Sequence, residues 1–150
     1  MSVFPSLIIK KNEVLPQGAF AEAQALYLHP DPEAVDELDQ YLAAANIGIV
    51  AHYYMDVELQ GVLSSCKWEH IKISDSLLMA DTAVDMAKAG ITSIVVLGVD
   101  FMSENVRAVL DSAGFSHIPV YRVDQREIGC SLAEAAEAKA YGAWLHKASR

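Results

Sequence analysis

Apolar positions along this chain fall into two alternating rhythms. Short continuous apolar runs at Ile47-Gly48-Ile49-Val50-Ala51, Ile94-Val95-Val96-Leu97 and Ile118-Pro119-Val120-Tyr121 read as strands buried on both faces. Pro119 puts the last of these at a sheet edge. Ile71-Lys72-Ile73 is a shorter candidate of the same kind. The segments between them carry helical spacing. Residues 19–28 place Phe20, Ala23 and Tyr27 on one face. Asp31 as N-cap and Pro32 as first helical residue predict a second helix running to about Ala45. Residues 75–89 are predicted to bury Leu77, Ala80, Val84 and Ala87, and residues 103–113 to bury Val106, Val109, Leu110 and Ala113. Helices at 131–138 and about 140–148 follow, the last with Tyr141, Trp144 and Leu145 on one face.

Strand alternating with helix predicts βαβ crossovers and a parallel sheet. The fold expected is a three-layer α/β domain over residues 19–150, with a short parallel sheet of three to four strands. Residues 1–18, broken by Pro5, Pro16 and Gly18, read as a loose leading segment. Function in such sheets gathers at the carboxyl ends of the strands. That rule selects residues 51–56, 98–105 and 124–131.

Composition narrows the class. Eleven basic residues against twenty acidic ones give a net charge of −9, and Lys10-Lys11 is the only basic doublet. A nucleic-acid partner needs a cationic footprint, so none is expected. No apolar run approaches the ~20 residues needed to span a bilayer, so no membrane span is expected either. Cys66 and Cys130, far apart, make no disulfide scaffold and point to a reducing compartment. Met1-Ser2-Val3-Phe4-Pro5 has neither a signal-peptide core nor an Arg/Ser-rich stretch, so no targeting segment is visible.

Each strand end carries reactive residues. After the first strand come His52, Tyr53 and Tyr54. On extended backbone His52 and Tyr54 share a side, where they could orient an anion or shuttle protons; hydrogen-bonded packing is the alternative. Ser74-Asp75-Ser76 opens the long helix, either as an anion site with a hydroxyl donor or as an ordinary N-cap. Asp100 reads as a turn or capping residue, with Phe101 and Met102 as an apolar wall. Cys130 precedes a helix start in which Ser131 and Glu134 fit a capping box, a setting that favours thiolate. Cys66-x-x-x-His70 is weak as a ligand pair, and His29, His117 and His146 are isolated. Neither GxGxxG nor GxxxxGK[ST] occurs, so nucleotide binding of those types has no support.

Taken in order, Ala51-His52-Tyr53-Tyr54, Asp75-Ser76-Leu77, Gly98-Val99-Asp100-Phe101-Met102-Ser103-Glu104 and Gly129-Cys130-Ser131-Leu132-Ala133 resemble the quinolinate synthase family. The likeness spans about 47–138. Lys88-Ala89-Gly90 and the spacer between Gln60 and Ser74 look like its plant-type version. The resemblance implies one of three similar α/β domains around a shared active site, each giving one cysteine to a [4Fe–4S] cluster with one iron left open. Cys130 matches the first domain's metal ligand. His52 and Tyr54 match catalytic, substrate-contacting residues, Ser76 a hydroxyl on a substrate carboxylate or phosphate, and Phe101 and Met102 the apolar wall. The implied reaction condenses iminoaspartate with dihydroxyacetone phosphate to quinolinate, for NAD biosynthesis, with L-aspartate oxidase as a source of iminoaspartate. The implied compartment is the plastid stroma in a plant and the cytoplasm otherwise.

One ligand cysteine is visible by Arg150, with no counterpart of a second and third domain. The expectation is therefore a first domain or fragment that is inactive alone. Two other readings stay open: a catalytically silent small-anion-binding domain, and an enzyme using Cys130 as nucleophile with His52 as base.

Overall fold

The computed structural model describes residues 6–149, apart from 26, 28, 124, 125 and 127. In chain order the elements are β1 (Ser6–Ile9), β2 (Val14–Gln17), α1 (Ala19–Ala25), α2 (Pro32–Ala45), β3 (Ile47–His52), α3 (Val57–Ser65), β4 (Ile71–Ser74), α4 (Ser76–Lys88), β5 (Ser93–Leu97), α5 (Asp100–Ser112), β6 (Val120–Arg122), α6 (Ser131–Glu137) and α7 (Lys139–Ala148). Within the segment expected to be loose, β1 and β2 pair as an antiparallel hairpin, with Leu7 opposite Pro16 and Ile9 opposite Val14.

The other four strands form one parallel sheet in the order β4-β3-β5-β6. Period-two alternation along β3 and β5 decides the layering. Val50, Ile94 and Val96 pack with Met79, Ala83 and Met86 of α4 and with Val106 and Leu110 of α5. Ile49, Ala51 and Leu97 turn to the other face, where Leu42 of α2 and Leu63 of α3 cover them. Helices thus sit on both sides, the three-layer α/β arrangement that the apolar runs predict. Pro119 precedes β6, an edge strand as β4 is, and its carbonyl accepts the Ile94 N–H at 3.0 Å.

Two local differences have physical causes. The stretch 57–65, part of the connection between the first strand and Ile71, forms α3, because Asp56 caps it by accepting the Glu58 N–H at 2.9 Å. In α4 the buried face is Met79, Ala80, Ala83, Met86 and Ala87, while Leu77 is exposed. Leu77 lies in the first turn of α4, past the end of β4, and among the described residues it stays exposed.

In the order β4-β3-β5-β6 the chain leaves β3 on one side and returns on the other. The reversal lies between β3 and β5, where open α/β sheets form a crevice at the strand ends. His52 ends β3 and Gly98 follows β5, so the two residues flank that point.

Candidate active site

His52 is carried to the rim by β3, where its Cα pairs with that of Ser74 on β4. Its side chain is buried, and burial pushes its pKa below the ordinary 6.5, with Asp75 opposing the shift. Nδ1 accepts the backbone N–H of Tyr54 at 3.3 Å. An amide is always the donor, so Nδ1 of the neutral ring carries no proton and Nε2 presents the N–H.

The extended backbone expected through Tyr54 is not what holds these rings together. The chain turns after His52, with the Met55 N–H donating to the His52 carbonyl at 3.0 Å. The turn stacks Tyr53 on the imidazole at 4.6 Å and sets Tyr54 edge-on at the same distance. A hydrogen bond with Tyr54 is the main cause raising the Tyr53 phenol above its ordinary range. Gln60 of α3 pins the turn from below, its amide donating to the carbonyls of Tyr53 at 3.0 Å and Met55 at 2.7 Å. Tyr53 and Gln60 are contributors that sequence reasoning missed. The aromatic doublet was a usable signal for the first; nothing in a lone glutamine marks the second.

Ser76 is the first residue of α4 and is half-buried. Asp75 behaves as an N-cap, accepting the N–H groups of Leu77 at 2.9 Å and Leu78 at 3.0 Å. Those bonds, Leu78 first, hold its carboxyl below the usual range. Two first-turn amides are therefore already used, and an anion here would meet the Ser76 hydroxyl beside a carboxylate.

Across the switch point Gly98 lets two side chains approach. A Cβ built on it would lie 2.7 Å from the Met102 sulfur and 3.7 Å from the His52 Cβ. Met102 is buried in the core beneath the rim, whereas Phe101 is exposed beside it. The pair expected as one apolar wall thus divides between interior and surface, because consecutive helical residues point about 100° apart.

Next to Gly98 lies a cavity of about 240 Å³ with Met55, Leu59 and Leu97 among its walls and Asp100, Arg122 and Ile128 along one side. Asp100 caps nothing in α5. It holds the Arg122 guanidinium and accepts the Ile128 N–H at 3.0 Å. Arg122 is a further residue that the sequence reading passed over, being an isolated cation after a weak strand.

Cys130, two residues after Ile128, is a free, partly exposed thiol. It occupies the N-cap position of the seven-residue α6, which has no side-chain cap, so the expected capping box is not formed. Ser131 falls inside the helix as its first residue. Glu134 folds back instead, its carboxylate so close to Gly129 that a Cβ there would lie 2.5 Å away. Of the 124–131 stretch, residues 124, 125 and 127 lie outside the described residues. Cys66 is at the opposite edge of the sheet. It ends α3, near Trp68, whose indole N–H donates to the Ile47 carbonyl at the start of β3. Its thiol donates to the Val62 carbonyl at 3.3 Å, and burial pushes its pKa up.

Among the described residues no group of three or more His, Cys, Asp or Glu could hold a metal ion, and no helix is long and apolar enough to cross a membrane. A thiol suits iron–sulfur ligation because thiolate is soft and anionic, so Cys130 fits as one ligand of such a cluster. The described residues supply no full set.

Comparison with known proteins adds to this geometry. The model of the family described as quinolinate synthetase A protein matches residues 36–149. The chain is 57% identical over 149 residues to the chloroplastic quinolinate synthase of Arabidopsis thaliana, covering 98% of this chain and 21% of that protein. A Nicotiana tabacum chloroplastic quinolinate synthase is 58% identical over 149 residues, with the same coverage of 98% and 21%. That of Oryza sativa subsp. japonica is 57% identical over 150 residues, again covering 98% and 21%. The chain therefore spans about a fifth of the length of these curated relatives.

Proposed function

We propose a function from one premise: the chain belongs to the quinolinate synthase family. In that reading it is the first-domain part of an enzyme that condenses iminoaspartate with dihydroxyacetone phosphate to quinolinate, in NAD biosynthesis. The observation that carries the reading is the register of β3 against β4. It brings the buried imidazole of His52 to the rim opposite Ser74, next to the start of α4 and across the switch point from Gly98.

The roles follow from the atoms presented. His52 offers Nε2–H as a hydrogen-bond donor to a carboxylate or phosphate oxygen, and its lowered pKa keeps the ring neutral near pH 7. As a neutral ring it keeps that proton on Nε2 and offers it as a hydrogen bond. Tyr54, largely exposed and edge-on to the ring, adds a phenol that a substrate can reach. The Ser76 hydroxyl supplies a donor where Asp75 has used the neighbouring amides. Phe101 at the surface and Met102 beneath it exclude water from one side. Cys130 is the metal ligand this stretch contributes; a [4Fe–4S] cluster with an open iron, when bound, supplies Lewis acidity toward a substrate oxygen.

The resemblance calls for three thiolates, and residues 1–150 provide one that fits. The isolated stretch is therefore inactive and holds no stable cluster; the remaining ligands and pocket walls come from second and third domains. L-aspartate oxidase is the source of iminoaspartate in this reading. The relatives named chloroplastic support a plastid if the source is a plant, and within it this reading places the enzyme in the stroma.

An enzyme using Cys130 with His52 as base is disfavoured, since the imidazole acceptor Nδ1 is already engaged by the Tyr54 N–H. The deciding experiment uses the full-length protein, following quinolinate formation and bound iron together. His52→Leu is expected to lower kcat by about 10²-fold or more, the usual weight of a preorganised hydrogen-bond donor. Cys130→Ser is expected to lose bound iron and sulfide. Full activity in the first variant, or full iron content in the second, overturns the assignment, as does a stable, active cluster on residues 1–150 alone.

A further inference from the structure

The first carboxylate of α5 is turned away from its own helix. Asp100 heads that helix, yet the N-cap position, Val99, has no side-chain bond and the free N–H groups of the first turn gain nothing from Asp100. Its two oxygens go elsewhere. Oδ1 binds the Arg122 guanidinium at the end of β6, and Oδ2 accepts the Ile128 N–H at 3.0 Å. Its backbone N–H also donates to the Ile128 carbonyl at 3.0 Å. One residue thus bonds Ile128 at both its donor and its acceptor, two positions before Cys130.

We propose that Asp100 and Arg122 form a latch that sets the position of Cys130. Asp100 is the positioning residue, and Arg122 is the counter-ion that keeps its carboxylate aimed at Ile128. An unpaired aspartate at a helix start turns readily to the neighbouring amides of its own helix. The guanidinium of Arg122 holds one oxygen, so the other stays on the Ile128 amide. The pair is only 24% and 34% exposed, beside the apolar walls of the 240 Å³ cavity, where a charge-assisted bond is stronger than in open water. The stretch leading to the thiol is thereby tied across the carboxyl ends of β5 and β6.

The ligand role of Cys130 rests on the function proposed above. The latch itself is read without any metal, so the two ideas can fail separately. The test uses the chain in a Cys66→Ser background, freshly reduced, and measures two rates at one fixed neutral pH. These are alkylation of Cys130 by iodoacetamide and hydrogen exchange of the Ile128 amide. Asp100→Ala is expected to raise both by about fivefold, the weight of one hydrogen bond. Arg122→Met moves both in the same direction by less. Asp100→Asn keeps an acceptor for the amide and restores exchange toward the parent value. Unchanged rates in a cooperatively folded Asp100→Ala overturn the latch. If that variant does not fold, unchanged rates in Arg122→Met overturn it instead. Loss of iron in full-length Cys130→Ser, alongside unchanged latch rates, leaves the ligand assignment standing and the latch refuted.

Discussion

Tyr54 donates its backbone N–H to Nδ1 of His52 across 3.3 Å, and this bond exists only while that nitrogen is unprotonated. The same turn stacks Tyr53 on the ring and buries it, so protonating His52 costs both a hydrogen bond and desolvation. Structure, tautomer and titration point in one direction here.

The pH dependence follows with a definite sign. The folded-state pKa of His52 lies below the ordinary 6.5, so the unfolded chain takes up this proton first as pH falls. The His52 contribution to stability is intact above 6.5 and declines as pH drops from there through the folded pKa. Urea unfolding midpoints of the parent and of His52→Gln, followed downward from neutral pH, are expected to converge. Parallel curves would show that the histidine titrates normally.

Asp75 is the charge that opposes this shift. Asp75→Asn keeps an oxygen for the Leu77 and Leu78 amides but removes the negative charge. The His52 midpoint, followed by proton NMR of the ring, is expected to fall further below that of the parent. A rise would mean that Asp75 acts on His52 by some other route.

Gly98→Ala places a methyl group 2.7 Å from the Met102 sulfur. Overpacking of this sort costs about 1–3 kcal/mol, and a thioether that can swing aside favours the low end, about 1 kcal/mol. Denaturant unfolding with an unchanged m-value should register it. A Gly98→Ala/Met102→Ala double variant should lose less than the sum of its single variants, because the two changes share one space.

The two thiols should separate chemically. Burial and the nearby Asp39 carboxylate keep the Cys66 thiol protonated beyond its usual range. In a Cys130→Ser background, Cys66 is expected to alkylate slowly near neutral pH and to gain rate only well into the alkaline range. Rapid neutral labelling would place it outside the packing seen between α2 and α3.

Much of the fold was legible because it is local. The runs 47–51 and 94–97 are too apolar and too short for anything but doubly buried strands, and the Asp31-Pro32 signal marked the start of α2. The element at 57–65 escaped because Leu59, Gly61 and Leu63 give it little helical stripe, and only the Asp56 cap announces it. The hairpin at Ser6–Gln17 escaped because its turn, between Ile9 and Val14, carries no Asn-Gly or Asp-Gly pair. The strand-end rule led to His52, at the end of β3, and to Asp75, just after β4. What a linear reading could not supply is pairing at long range. Nothing near Arg122 in the sequence points to Asp100, and nothing near Gln60 points to the carbonyls of Tyr53 and Met55. The capping box at Ser131 shows the converse, a local motif that the structure does not form, because Cys130 and not Ser131 stands at the N-cap position.

One strand limits what can be built beside this sheet. β6 is three residues long and begins just after a proline, which has no N–H to offer. A further chain laid along it would find almost no ladder to join, so sideways growth stops there. A unit that is to reach His52 from that side therefore comes over the tops of the strands, where β3 ends.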